Sequence, residues 1–315
     1  MFRRATVALV IALSSCGVRE VPTKKTHWVA GPNVGTLDLL GVCYIEPGTA
    51  WAVGDIDLRG AGGAIYKTTD AGATWTAVSR ANEVLTSIHF ANPLTGWVAG
   101  YAGAIERTDD GGTSWKAQRT EQTGEVLNGI SFIDEKQGWA VGGSGLVLIT
   151  TNAGDNWEPA PTGRVEDLWA VRFSSPRLGW AVGEDGLIIA SDNGGRAWTV
   201  QHSGTRHALM GLAVAPDGVA VAVGEGGSIL RSEDGKSWSE IESGTNVMLS
   251  GVAAADNRTF WAVGSQGVTL GSNDGGRSWQ AVSGVSARNL NSIGVAGSGR
   301  GVAVGQRGCT QILRE

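Results

Sequence analysis

The sequence predicts an all-β fold, a seven-bladed β-propeller with four-stranded blades, the last closed by the N-terminal strand. Three observations carry this. The tetrapeptide Trp-Ala-Val-Gly recurs along the chain, a leucine precedes each closing glycine at constant distance, and an Asp-containing turn follows in the same phase. Composition agrees: 49 of 315 residues are glycine, against a usual share of about 7%. A hydrophobic content of 42% is enough to build a core. The net charge of −5 excludes a generally basic nucleic-acid binder. His27, His89, His202 and His207 show no metal-ligand spacing, and three cysteines cannot make a disulfide scaffold. Neither a metal nor a cofactor is expected.

The first residues are an address. Met1 to Arg4 is short and positive, and Ala5 to Leu13 is an apolar run of nine residues, far below the roughly 20 that span a bilayer. Leu13-Ser14-Ser15-Cys16 resembles the bacterial lipobox, in which the cysteine sulfur takes a diacylglyceryl group and cleavage leaves Cys16 as the new N-terminus. Each buried CH₂ of such chains contributes about 0.8 kcal/mol to membrane binding. Residues 1–15 therefore read as a lipoprotein signal peptide and 16–27 as a lipid-anchored tether, leaving 28–315 for the propeller. The expected location is the bacterial cell envelope, periplasmic or outer surface, with membrane contact through the lipid.

The repeat comes next. Trp-Ala-Val-Gly stands at 51–54, 139–142, 180–183 and 261–264, with relaxed copies at 97–100, 221–224 and 302–305. Fifteen positions before each closing glycine stands a leucine: Leu39, Leu85, Leu127, Leu168, Leu209, Leu249 and Leu290. A period of about 40 residues is that of propellers or solenoids. Within one unit the pattern is strand-like: Leu168 to Phe173, Gly179 to Val182 and Leu187 to Ala190 are three strands, and a fourth starts at Trp198. Gly183-Glu184-Asp185-Gly186 is the hairpin between the second and third, its second glycine able to take positive φ. The run shows no helical period, which leaves a four-stranded blade.

The seventh unit stops after its third strand, at Leu313. Trp28-Val29-Ala30-Gly31 resembles the fourth strands beginning at Trp75 and Trp279 and supplies the missing one. Closing the ring this way removes exposed edges. Twelve of the thirteen tryptophans occupy repeat positions, and Trp169 stands outside them.

The turn motif is an Asp-box, Thr68-x-Asp70-x-Gly72-x-x-Trp75, repeated with Asp110 and Asp274. Asn152 and Asn193 take the Asp place in two units, and the copy at Asp234 is one residue short. Its Asp or Asn accepts backbone N–H bonds in the turn and its Trp packs between blades, which is a structural role. A carboxylate ring holding Ca²⁺ is the functional alternative.

Asp-boxes separated by Gly-Trp-Ala-Val-Gly resemble the photosystem II stability/assembly-factor family, a group of BNR-repeat propellers. The resemblance covers about residues 28–315. It implies a non-catalytic assembly factor that holds a membrane protein, so the expected partner is an envelope or membrane protein and the expected state a monomer. It also implies an arginine-rich working face. The loops entering the inner strands carry Arg80, Arg119, Arg164, Arg206 with His207, and Arg288, and these arginines are the candidate partner-binding residues. The stretch matching the family's arginine cluster, Gly204 to Leu212, holds one arginine.

The second reading is a carbohydrate-binding or glycosidase propeller of the sialidase type. Such an enzyme needs a tyrosine nucleophile or a facing acid pair. Tyr44, Tyr66 and Tyr101 are the only tyrosines, and Glu184, Asp185 and Glu225 are the acids in adjacent hairpins. No G-x-S-x-G elbow occurs. The sequence favours no catalysis. Cys43 and Cys309 fall on an innermost and a third strand, about two strand spacings apart, which favours two thiols over a disulfide.

Overall fold

The computed structural model describes residues 26–314 apart from 36, 46, 56–61, 119–123, 283–285 and 298. Cys16 and the signal sequence, and Arg119, lie outside the described residues. Seven four-stranded antiparallel sheets are arranged as blades, six in simple sequential order and the seventh completed by the N-terminal strand. Blade four is representative, with strands Leu168–Phe173, Gly179–Gly183, Ile188–Ser191 and Thr199–Gln201. In the seventh blade His27–Ala30 pairs antiparallel with Thr310–Arg314, Trp28 opposite Leu313. The ring is closed as the sequence predicts.

The repeat residues explain the architecture. All seven phased leucines are 0–2% exposed. Each lies opposite its closing glycine, Leu168 against Gly183 for example. That glycine is required because a side chain there would run into the backbone of the loop entering the inner strand, at the Asp167 carbonyl oxygen. Gly186 takes φ +69 in the hairpin, and Asp185 before it is also left-handed, at φ 51.

The core lies between blades. Trp51, Trp97, Trp139 and Trp180 are at most 1% exposed. Trp51, Trp97 and Trp139 stack face to face on Phe90, Phe132 and Phe173 of the following blade, with centroids 3.5–3.7 Å apart. Each such phenylalanine also meets its own blade's Asp-box tryptophan edge-on, at 5.8–6.0 Å. Indole N–H groups of the four buried tryptophans donate to carbonyls in the next blade's Asp-box, Trp180 to Gly235 at 2.8 Å among them. These links bind one blade to the next without disulfides. Cys43 and Cys309 are both free thiols.

Candidate functional site

Strand polarity places the loops entering the inner strands and the second-to-third-strand hairpins on one face. The Asp-boxes occupy the opposite face. Contacts across blades agree: Ser144, in a hairpin, donates its amide to Asp167, in an entering loop, at 2.8 Å.

A bulge in every innermost strand shapes the centre of the first face. In each blade the residue after the phased leucine is skipped in the ladder, as Trp169 is between the Leu168–Gly183 and Ala170–Val182 pairs. A bulge re-aims one side chain. Here it brings one residue per blade to the mouth of the central channel: Leu40, Thr86, Asn128, Trp169, Met210, Ser250 and Asn291. Asn128 and Asn291 donate to the next blade's leucine carbonyl at 3.0 and 2.9 Å, stitching inner strands together. Leu40, Trp169 and Met210, with Met248 from a loop, make the mouth partly apolar. Tyr101, 47% exposed, stands at its rim. The mouth encloses about 470 Å³ and is also lined by Glu125 and Asp167.

Beneath it the channel narrows to a cavity of about 120 Å³. Arg172 lines this cavity, and the electrostatic influence of its guanidinium reaches Cys43 and His89 in blades one and two. Burial first, and then Arg172, pushes His89 down to about 3, so the imidazole is neutral. Burial pushes the Cys43 thiol up to about 11, which keeps it protonated and unreactive. Burial also lowers the Arg172 pKa. Its hydrogen bond goes to the adjacent Val171 carbonyl, at 2.8 Å. Among the described residues no carboxylate forms an ion pair with it.

The predicted arginines sit elsewhere on the same face. None of Arg80, Arg164, Arg206 and Arg288 lines the mouth. Arg80 lies in the fourth strand Thr76–Ala81 rather than in a loop. Arg164 is paired with Glu166, two residues on, and Arg288 donates to Asn33 at 3.1 Å. Arg206 is exposed. They are separate rim charges, one per blade, and the channel's own cation is Arg172. Two signals in the sequence pointed to the mouth: the leucine phase, and Trp169 as the tryptophan out of register with the repeat.

Of the acids in the adjacent hairpins, Glu184 and Glu225 hold loops, and Asp185 is exposed in its turn. Glu184 accepts the Asp167 amide at 3.4 Å, and Glu225 accepts that of Ala208 at 3.2 Å. Tyr44 and Tyr66 belong to the core between blades seven and one. In the Asp-boxes, Asp70 takes the Thr74 amide at 2.8 Å and the Thr74 hydroxyl at 2.6 Å. Asp110, Asp234 and Asp274 repeat that pattern with Ser114, Ser237 and Ser278. Asn152 and Asn193 keep the amide bond, at 3.0 Å, and their boxes have no hydroxyl at that place, Asn156 and Ala197 standing there. Every Asp-box oxygen pair is thus engaged within its own turn.

The family described as Photosynthesis system II assembly factor YCF48 matches residues 78–166 and 201–314. Among solved structures, YCF48 from Cyanidioschyzon merolae is 21% identical with a TM-score of 0.72, over 91% of this chain and 99% of its own. A YCF48 bound to D1 peptide is 22% identical with a TM-score of 0.73, over 92% and 97%. A catalytically inactive virginiamycin B lyase from Staphylococcus aureus, solved with quinupristin, is 13% identical with a TM-score of 0.76, over 92% and 100%. These structures share the fold. No curated protein matches the chain.

Proposed function

The chain belongs to the Photosynthesis system II assembly factor YCF48 family, and on that premise we propose that it is a non-catalytic propeller that holds a segment of a membrane protein. It does so in the bacterial cell envelope, anchored by lipid at Cys16. The observation that carries this is the family match, with a YCF48 structure bound to a D1 peptide beside it. The channel face suits the task. Its mouth offers an apolar wall of Trp169, Met210 and Met248, with Glu125 and Asp167 beside them. Arg80, Arg206 and Arg288 supply cations further out, and Arg164 stands there paired with Glu166. Arginine forks and aromatic anchors are favoured at protein interfaces, and a two-signed surface selects its partner rather than trapping any anion.

The engagement of Glu184 and Glu225 with backbone amides supports a non-catalytic role over a glycosidase. The test is crosslinking pull-down from native membranes. Combined Arg164→Ala, Arg206→Ala and Arg288→Ala should weaken partner capture and leave folding intact. Arg196→Ala with Arg277→Ala, at the Asp-box tips, should not. The reverse result would place the working face at the other end of the ring.

A further inference from the structure

Among the described residues Arg172 is a charge with no counterion. It projects from the inner strand Leu168–Phe173 of blade four into the 120 Å³ cavity of the channel. Among the described residues its one hydrogen bond is to the carbonyl of its own neighbour, Val171, at 2.8 Å. The groups that feel its charge across the channel are His89, which is neutral, and Cys43, which is protonated. Neither is a counterion. An arginine carries five N–H donors in a planar fork, so most of this fork is open to the channel. The side chain is half-buried, and holding a charge partly out of bulk water with no counterion beside it is costly. Arg231, by comparison, has Glu233 at 2.7 Å and the Gly275 carbonyl at 2.6 Å.

The surroundings define what would complete the site. Trp169 and Arg172 lie three residues apart on one strand, about 10 Å at ~3.3 Å per residue. The same seven bulged residues line both the mouth and the cavity beneath, so the two are continuous. A cavity of 120 Å³ has room for about four waters at ~30 Å³ each, which is the scale of a carboxylate and its attached carbon. The acids at the rim are engaged with the hairpin between them. Asp167 accepts the Ser144 amide, and Glu125 the Ser144 hydroxyl at 3.2 Å.

We propose that Arg172 is a carboxylate-binding residue, receiving one carboxylate of the polypeptide segment whose apolar part rests on Trp169, Met210 and Leu40 at the mouth. The carboxylate is a side chain of that segment or its chain end. This rests on the protein-binding reading above and adds the chemistry of the group the channel takes.

Three probes on the purified propeller decide it, by titration calorimetry and by the Arg172 Nε–H resonance identified from its loss in Arg172→Gln. N-acetyl-alanyl-leucine carries a chain-end carboxylate, N-acetyl-aspartyl-leucinamide a side-chain carboxylate, and N-acetyl-alanyl-leucinamide none. At least one acid should bind about tenfold or more tightly than the neutral amide, the scale of a charge-assisted hydrogen bond. It should also shift the Arg172 resonance, and Arg172→Gln should abolish the difference. Whichever acid binds more tightly names the source. Arg172→Met should melt no lower than the parent, since it removes an unmatched charge, whereas a merely structural arginine would be missed. Equal binding of acids and amide to the parent protein overturns the proposal, whether or not the variants fold. So does an acid preference that survives in Arg172→Gln. Partner capture through the outer arginines is read separately by the pull-down, so either idea can fail alone.

Discussion

Arg231 donates from Nε to the carbonyl of Gly275 at 2.6 Å, closing the joint between blades five and six. In the four preceding joints out of blades one to four, an indole N–H does this, as Trp180 does for Gly235. Blade five has Val221 at the tryptophan position of its second strand, opposite Arg231 on the third. The guanidinium thus replaces an indole from the neighbouring strand. It is 8% exposed, and its other end is held by Glu233, which also binds Arg277.

Removing that side chain has a definite expected cost. Arg231→Ala strands the Gly275 carbonyl and leaves a void, so it should lose roughly 2–4 kcal/mol in denaturant unfolding. The double variant Val221→Trp with Arg231→Ile copies blade three, where Trp139 lies opposite Ile149. It should recover most of that loss. No recovery would mean that Arg231 does more than fill a tryptophan's place.

Ring closure rests on Trp28. It is 5% exposed and meets Trp261 edge-on at 5.6 Å, where no Asp-box exists to receive that indole. Trp28→Ala should cost roughly 3–5 kcal/mol. Deleting 28–34 should further expose the edge of Thr310–Arg314 and promote aggregation. Light scattering and a melting curve identical to the parent would remove the N-terminal strand from the account of stability.

The Asp-boxes predict an acid limit. Hydrogen bonds hold the carboxyls of Asp70, Asp110, Asp234 and Asp274 at about 2. The leading donor is the hydroxyl of Thr74, Ser114 or Ser278, and for Asp234 the Ser237 amide. A folded pKa below the unfolded value, about 3.9, adds stability that is whole above pH ~4 and lost as pH falls toward 2. Asp70→Asn, Asp110→Asn and Asp274→Asn together should flatten stability across pH 4 to 2. Asn152 and Asn193 already maintain the turn. An unaltered pH slope would show that these carboxylates do not set the acid limit.

The proposed anchor has its own test. Cys16→Ala should block incorporation of labelled palmitate and leave an unprocessed precursor. Normal labelling and maturation of that variant would remove the lipoprotein reading and the envelope location that depends on it.

What the sequence by itself determined is the ring: seven phased leucines and closing glycines count the blades, and the N-terminal Trp28 strand completes the last. Those features are local and periodic, so one strand ladder repeated seven times is enough to read them. The same phase also marks the residue after each leucine, but its meaning is tertiary. Only the bulge turns Trp169 or Met210 toward the channel, because skipping one residue in the ladder re-aims its side chain. Charge was the least legible property. Arginines at loops look alike in sequence, yet Arg164 is paired with Glu166, two residues away, while Arg172, in a strand, faces a channel where no carboxylate of the described residues pairs with it. A partner two residues away, like Glu166 for Arg164, is legible in the chain, but a partner in another blade, like the Gly275 carbonyl for Arg231, is set by which blades the closed ring brings face to face.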